Sequence, residues 1–160
     1  MNIRIGYGYD VHRLIHGKKF ILGGIEVLHD KGCLAHSDGD VLIHAICDAL
    51  LGAANLRDIG FHFPDNSPKY KNIDSKILLK KVVKLLHNNQ FSICNIDSTI
   101  CLQNPRIKNL IPKMKKKLYP ILQLTEDDIS IKVTTTEKLG FIGKGKGISA
   151  TAVVLINKNS

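Results

Sequence analysis

The sequence contains no tryptophan and only 6% aromatic residues, although its 23 lysines and arginines outnumber its 14 acidic residues. Proteins that bind single-stranded nucleic acid place aromatic side chains among basic ones to stack the bases. The densest basic segment, KMKKK at 113–117, instead falls within a helical pattern of apolar residues. We therefore interpret it as a solvated helix face and predict no nucleic-acid partner. The positive charge favours anionic small molecules.

The chain also lacks any apolar run near the roughly 20 residues that a membrane-spanning helix needs, and no secretory signal pattern opens it. Its four cysteines form no C-x-x-C pair, which favours buried and reduced thiols. We therefore expect no membrane partner and a cytoplasmic location, or a plastid if a transit peptide has been removed. The length of 160 residues suits a single catalytic domain over 1–160.

Apolar periodicity predicts five strands and three helical stretches. The strands are predicted at 3–13, 19–28, 91–102, 129–135 and 148–156, and the helices at 41–56, at 75–87 and from Pro105 onward. This order is typical of an α+β protein in which a mixed β-sheet packs against helices, rather than of a doubly wound fold.

Four local signals mark the boundaries of these elements. Gly23–Gly24 predicts a bulge in the second strand. Ser37 or Asp38 is the expected cap of the first helix. The segment 57–72 is rich in Pro, Asn, Asp and Ser and predicts a long loop. Pro112 is expected to kink or restart the third helix.

The first strand carries two coordinating side chains, Asp10 and His12, in a segment that otherwise has the pattern of a buried strand. Successive strand side chains point to opposite faces, so both coordinating residues share one face and the apolar residues share the other. The coordinating face also carries Gly6 and Gly8, whose empty space we interpret as room for a ligand. The apolar face consists of Ile3, Ile5, Tyr7, Tyr9 and Val11.

His44, in the first turns of the first helix, completes a three-residue donor set with Asp10 and His12. Catalytic zinc sites use three imidazole or carboxylate ligands and leave a fourth position open. His44 lies on the same side of its helix as Asp40 and Asp48, one turn away in either direction. Two simpler interpretations stay open: an incidental polar strand face, and a His44 that is hydrogen-bonded to Asp48.

A glycine-rich segment, GFIGKGKG at 140–147, differs by one residue from a phosphate-binding loop. Gly147 stands where a serine or threonine would bind magnesium, and a strand rather than a helix follows, so we exclude a P-loop ATPase. The segment is either a flexible turn or a place where backbone amides approach an anion. TTTE at 134–137 puts three hydroxyls and a carboxylate at a strand end, groups that bind phosphate and magnesium.

Four long segments of the chain carry a further pattern: GYDVHRL, GGIEVLHDKGCLAHSDGDVLIHAICDALLGAANLRDIGFHFPD, DSTICLQNPRI and KVTTTEKLGFIGKGKGISATAVVLI. In this order they cover nearly the whole sequence and resemble the 2-C-methyl-D-erythritol 2,4-cyclodiphosphate synthase family of the non-mevalonate isoprenoid pathway. The resemblance implies a phosphorus–oxygen lyase that converts 4-diphosphocytidyl-2-C-methyl-D-erythritol 2-phosphate into the cyclic diphosphate and CMP. It also implies a homotrimer with active sites between neighbouring subunits.

The resemblance assigns roles to residues of this sequence. The implied metal ligands are Asp10, His12 and His44 for one zinc ion per subunit, and Glu137 for an Mg²⁺ or Mn²⁺ ion that binds with the CDP-linked substrate. His36 and Thr135 are the implied catalytic groups, Phe63–Ser67 the loop over the site, and Leu102–Lys108 the cytosine pocket. Substrate contacts are implied for Asp10, Val11, His12, His36, Ser37, Asp58, Ile59, Gly60, Phe63, Pro64, Asp65, Asn66, Ser67, Leu102, Gln103, Asn104, Pro105, Arg106, Ile107, Lys108, Thr134, Thr135, Thr136, Glu137, Phe141 and Lys144.

The chain departs from the family in its glycine-rich segment. Relatives often have an arginine and then an acidic residue where this sequence has Lys144 and Lys146, which puts in doubt any role in which the two residues pair. Two other functions fit part of the same pattern. A zinc phosphoesterase would hydrolyse a nucleoside diphosphate ester, and a non-catalytic module would only bind CDP.

Overall fold

The structure is a computed structural model that describes residues 2–159, so the two end residues of the predicted domain lie outside it. Within this range the chain forms seven strands and five α-helices. The strands are Ile3–His16 (β1), Phe20–Leu22 (β2), Ile25–Val27 (β3), Lys31–Leu34 (β4), Phe91–Cys101 (β5), Ile129–Thr134 (β6) and Gly147–Lys158 (β7). The helices are Val41–Ala53 (α1), Ile59–His62 (α2), Ser75–Asn88 (α3), Ile111–Leu122 (α4) and Gly140–Gly143 (α5).

Five of the strands form one mixed sheet in the order β4-β1-β7-β5-β6. The pair β5–β6 is parallel, and the other neighbours in this sheet are antiparallel. The strands β2 and β3 form a separate hairpin. Helix α1 lies against β1 and β7, and α3 packs on α1, so the helices cover one face of the sheet. The predicted α+β class with a mixed sheet is therefore confirmed.

The close contact between α1 and β1 depends on two glycines. A Cβ atom added at Gly6 would lie 1.9 Å from the carbonyl oxygen of Ala49, and one added at Gly8 would lie 2.0 Å from that of Ala45. Any side chain at these positions would therefore force the helix away from the strand. The interpretation of these glycines as room for a ligand is wrong, because the space is filled by the α1 backbone.

Asp40 joins the hairpin to the start of α1. Its buried carboxylate accepts hydrogen bonds from the backbone N–H groups of Gly23 at 3.0 Å, Gly24 at 2.7 Å and Ile43 at 3.1 Å. Burial raises the pKa of this carboxyl group, and the three hydrogen bonds oppose that shift. Asp40 is thus the N-cap of α1, and the predicted caps Ser37 and Asp38 are wrong.

Four other predictions of local structure are corrected. Gly23 and Gly24 both have positive φ and form a tight turn, so the predicted strand 19–28 is a hairpin rather than one bulged strand. The predicted helix from Pro105 begins only at Ile111, after a 3₁₀ turn. Pro112 lies in the first turn of α4, where its missing N–H removes no helical hydrogen bond, so the predicted kink is absent. The alternative prediction, a restart of the helix at this proline, agrees with α4 beginning at Ile111. The sequence patterns also gave no indication of β4 or of the helix α5, and the segment 57–72, predicted to be a loop, contains α2 and a 3₁₀ turn.

The apolar face of β1 is not buried within this chain. Ile5 is 72% exposed and Tyr7 65% exposed, and the other members of the face are also exposed. This corrects the prediction of a buried strand, because the helices cover only the opposite face. The remaining elements agree within three residues at each end, and all four cysteines are free. Among the described residues, no helix has the length and apolarity needed to cross a membrane.

Replacing Gly8 by alanine tests the contact between α1 and β1. The added methyl group overlaps backbone atoms rather than a flexible side chain, so we expect the free energy of unfolding to fall by about 2 kcal/mol or more. Gly52→Ala is the matched control, since a Cβ atom added there would have nothing within 4 Å and we expect it to stabilise α1 slightly. Chemical denaturation measures both, and equal stability of the two variants would contradict this role of Gly8 in packing.

Candidate metal centre and adjoining pocket

Three predicted ligands meet where β1 passes under the first turn of α1. His44 Nδ1 lies 3.0 Å from Asp10 Oδ2, His12 Nε2 lies 3.1 Å from the same oxygen, and the two nitrogens are 3.2 Å apart. Ligands about 2.0–2.1 Å from a tetrahedral zinc ion lie roughly 3.3 Å from one another. The donor atoms therefore have the spacing that such an ion requires, and these three residues fit a metal site.

The charges at this centre favour the ionised carboxylate. Burial disfavours the charge on Asp10, but hydrogen bonds and charge interactions with His12 and His44 outweigh it and lower its pKa to about 2. Burial also disfavours protonation of His44, yet the neighbouring Asp10 raises the pKa of His44 above its usual value. A cation therefore stabilises this cluster, and a bound metal ion would take the place of the imidazole proton.

The alternative in which Asp48 holds His44 is wrong. The Asp48 carboxylate accepts the backbone N–H of Ile59 at 2.8 Å and so fixes the start of α2. Burial raises the pKa of Asp48. His44 instead directs its Nε2 atom to the hydroxyls of Ser75 and Ser37, at 2.9 and 3.2 Å.

A cavity of about 480 Å³ opens beside the donor set. His36 lies in its wall and contacts the backbone oxygen of Ser67 at 3.0 Å through Nε2, which ties the 63–67 loop to the β4–α1 connection. Asp58 caps α2 at the edge of this loop by accepting the N–H of Phe61. The predicted site residues that line the cavity are His12, His36, Ser37, His44, Ile59, Gly60, Phe63, Pro64, Asp65 and Asn66.

The other predicted site residues form a second group. Along the sheet, Val11 pairs with Ser149, Ser149 with Cys101, and Cys101 with Thr134. Three strand spacings therefore separate β1 from the end of β6, about 14 Å in total. None of the lining residues of the 480 Å³ cavity comes from 102–108 or 134–137. The structure thus does not bring Glu137 into the pocket of the donor set.

The second group has its own internal contacts. The Thr135 hydroxyl donates to Glu137 Oε1 at 3.1 Å, and the N–H of Lys138 donates to Gln103 Oε1 at 3.2 Å, which joins 134–138 to the 102–108 segment. Glu137 and Lys138 both have positive φ, a conformation that costs energy in residues other than glycine and that recurs at functional sites.

The glycine-rich segment is more ordered than a flexible turn. Gly140–Gly143 form α5, and the segment then enters β7. Lys144 lines a cavity of about 370 Å³ that it shares with Gln103 and Asn104. Phe141 lines an open cavity together with Val11 and the donor His12.

These observations define the class: an α+β protein with a candidate metal centre at a strand–helix contact. The chain belongs to the YgbB family, which matches residues 3–157. The 2-C-methyl-D-erythritol 2,4-cyclodiphosphate synthase of Bacteroides fragilis is 60% identical over 158 residues, which are 99% of this chain and 99% of the relative.

Two solved structures have the same fold. The bifunctional IspDF of Campylobacter jejuni has a TM-score of 0.95 and 39% identity over 99% of this chain, which spans 43% of that longer chain. The CDP complex of IspF from Plasmodium falciparum has a TM-score of 0.86 and 36% identity, with 99% of this chain and 98% of that chain covered. The likeness to IspF therefore extends over nearly the whole chain.

Replacing His44 by alanine removes one of the three donors, so we expect zinc bound after dialysis to fall from about one ion per chain to a small fraction. Metal analysis of the folded protein measures this. His87→Ala is the control, since that histidine is exposed at the end of α3. A His44→Ala variant that keeps the zinc content of the parent would contradict the ligand assignment.

Proposed function

We propose that this protein is a 2-C-methyl-D-erythritol 2,4-cyclodiphosphate synthase of isoprenoid biosynthesis. It converts 4-diphosphocytidyl-2-C-methyl-D-erythritol 2-phosphate into the 2,4-cyclodiphosphate and CMP, which makes it a phosphorus–oxygen lyase. The observation that carries the proposal is the Asp10–His12–His44 donor set, present in a chain that matches curated synthases over its full length. The reaction needs no protein nucleophile, because the substrate 2-phosphate attacks the β-phosphorus and CMP leaves.

The donor set would hold one zinc ion per subunit, and Glu137 would hold Mg²⁺ or Mn²⁺ together with the substrate. When bound, these cations supply Lewis acidity and neutralise the repulsion between phosphates. Asp10 contributes a carboxylate that stays ionised at neutral pH because its pKa is about 2. The low pKa keeps this negative ligand available over the whole range in which enzymes work.

The pocket residues position the two phosphate groups. His36 and Ser37 lie side by side in the cavity wall, where they would contact the methylerythritol phosphate. Phe63, Pro64 and the following residues also line the cavity and would exclude water from the reacting phosphates, which favours attack by the 2-phosphate over hydrolysis. Thr135 would donate its hydroxyl to the phosphate charge that develops, and 102–108 would bind the cytosine.

We propose a homotrimer whose active sites lie between neighbouring chains. Two observations support this arrangement. The metal donors and Glu137 lie in separate parts of one chain, so a substrate that needs both is best held by the first group of one chain and the second group of another. The exposed apolar face of β1 also provides a contiguous surface of the kind that oligomers bury.

We also propose a cytoplasmic location and a CDP-linked small molecule as the ligand. Four free cysteines fit the reducing cytoplasm. The helices carry no span that would insert in a membrane within residues 2–159. The P. falciparum relative was solved as a CDP complex, which supports a CDP-linked small molecule as the ligand of this chain.

Phosphorus NMR of the purified protein with the substrate tests the reaction directly. We expect the cyclic diphosphate and CMP to appear together. No open-chain methylerythritol phosphate should form, because the 2-phosphate and the β-phosphate both stay in the cyclic product. A zinc phosphoesterase would give open-chain products, and a CDP-binding module would give no turnover. Either result would contradict the proposed function.

Mixing two inactive variants tests the shared site. Glu137→Gln should keep zinc but lose the carboxylate for the second cation, and His44→Ala should lose zinc, so neither is active alone. After subunit exchange between equal amounts of the two variants, about one quarter of the sites combine an intact donor set from one chain with an intact Glu137 from its neighbour. We expect about one quarter of the parental activity to return.

The control for this experiment is the mixture before exchange, which should stay inactive. Native mass spectrometry confirms that mixed trimers have formed. Mixed trimers without recovered activity would show that each site belongs to a single chain, and a monomer would contradict the trimer itself.

A further inference from the structure

The metal ligand His44 has both ring nitrogens engaged. Nδ1 faces Asp10 and His12, whereas Nε2 lies 2.9 Å from Ser75 Oγ. A neutral imidazole carries a proton on only one nitrogen, and a metal binds the nitrogen without it. Metal binding at Nδ1 therefore requires that the proton sits on Nε2 and that the partner of Nε2 acts as an acceptor.

Ser75 alone does not determine which group donates in its hydrogen bond with His44, because a hydroxyl both donates and accepts. Asp38 determines the donor. Its carboxylate only accepts, and it receives the Ser75 hydroxyl at short range and the Ser75 backbone N–H at 2.9 Å. The single hydroxyl proton of Ser75 is thereby committed to Asp38, which leaves an oxygen lone pair for the Nε2–H of His44. Ser75 is fully buried, so water does not compete for it.

Ser37 is a weaker second partner of the same nitrogen. Its hydroxyl lies 3.2 Å from His44 Nε2, and it accepts the backbone N–H of Gly39 at 3.2 Å. Ser37 is only partly buried and lines the pocket, so it is able to turn toward a bound phosphate. Ser75 has no such freedom, since Asp38 holds both its hydroxyl and its backbone.

The same contacts connect the pocket loop to the metal ligand. Ser75 is the first residue of α3, directly after the long segment that covers the pocket. The Asp38 N–H donates to the Ile73 oxygen at 3.0 Å, and the Asn72 N–H donates to the His36 oxygen at 2.7 Å. The residues 36–38 and 72–75 are therefore hydrogen-bonded to each other, and Ser75 of the second segment contacts His44.

We propose that Asp38 and Ser75 are positioning residues of the metal centre: the chain Asp38–Ser75–His44 keeps the proton on Nε2 and leaves Nδ1 free to bind the metal. This inference rests on the proposed function for the metal site and adds two residues that touch neither metal nor substrate. Outer partners of metal-bound histidines change metal affinity by about 10–100-fold when they are removed.

The test compares Ser75→Ala with Ser98→Ala. Ser98 is also buried, and its hydroxyl donates to the Ser130 oxygen at 2.9 Å in the sheet. Ser98→Ala therefore loses a buried hydrogen bond away from the metal centre, whereas Ser75→Ala loses the two that join Asp38 to His44. We expect Ser75→Ala to weaken zinc binding by about 10–100-fold in competition with a chelator, and Ser98→Ala to keep the affinity of the parent. Unfolding curves establish that both variants are folded under the assay conditions.

NMR of the zinc-bound His44 ring gives a second readout that a purely structural role would not change, because zinc at Nδ1 takes the place of the proton that Asp10 would otherwise accept and leaves the ring proton on Nε2. We expect the Nε2–H proton of the parent to exchange slowly with water and that of Ser75→Ala to exchange markedly faster, because its buried acceptor is gone. Asp38→Asn keeps the shape but sets an amide N–H against a neighbouring donor, so we expect faster exchange there as well.

The outcomes distinguish this inference from the proposed function. Parental zinc affinity and an unchanged rate of Nε2–H exchange in folded Ser75→Ala would overturn the positioning role, while the synthase assignment would stand. Absence of zinc binding by the parent protein itself would overturn both the metal site and this inference.

Discussion

The close contact between α1 and β1 is the constraint on which the rest of the structure depends. Gly6 and Gly8 have no side chains, so the backbone of α1 lies directly on the strand. This separation is small enough for His44, one turn into the helix, to reach Asp10 and His12 on the strand. A larger residue at either glycine would increase the distance between elements by more than the metal geometry tolerates, because the donors must lie within a few ångströms of one another.

Two acidic residues outside the donor set also support the candidate metal centre. Asp40 holds the first turn of α1 against the β2–β3 turn, and Asp38 holds Ser75 against His44. Asp40 thus fixes the position of α1, whereas Asp38, two positions earlier, fixes the orientation of the His44 ring. Both carboxylates accept hydrogen bonds from buried donors, and burying these polar groups is stabilising only because every donor has an acceptor.

The chain carries two separate groups of candidate site residues and an exposed apolar surface, and these features have one physical explanation in the proposed trimer. The donor set and the 134–137 segment lie three strands apart in the sheet, too far for one compact phosphate group to bridge. Association through the apolar face of β1 would remove that surface from water and bring the two groups of different chains together. The net charge of +9 favours the capture of a substrate with several phosphates.

The sequence by itself determined the α+β class, most helix and strand positions, and the donor set Asp10, His12 and His44, because strand parity, helix periodicity and the family motifs are local or linear signals. It did not determine why Gly6 and Gly8 are glycine, which aspartate caps α1, or that Ser75 and Asp38 lie behind His44. Those facts depend on distances between residues far apart in the chain, and only the tertiary structure decides such distances, because packing brings these segments together.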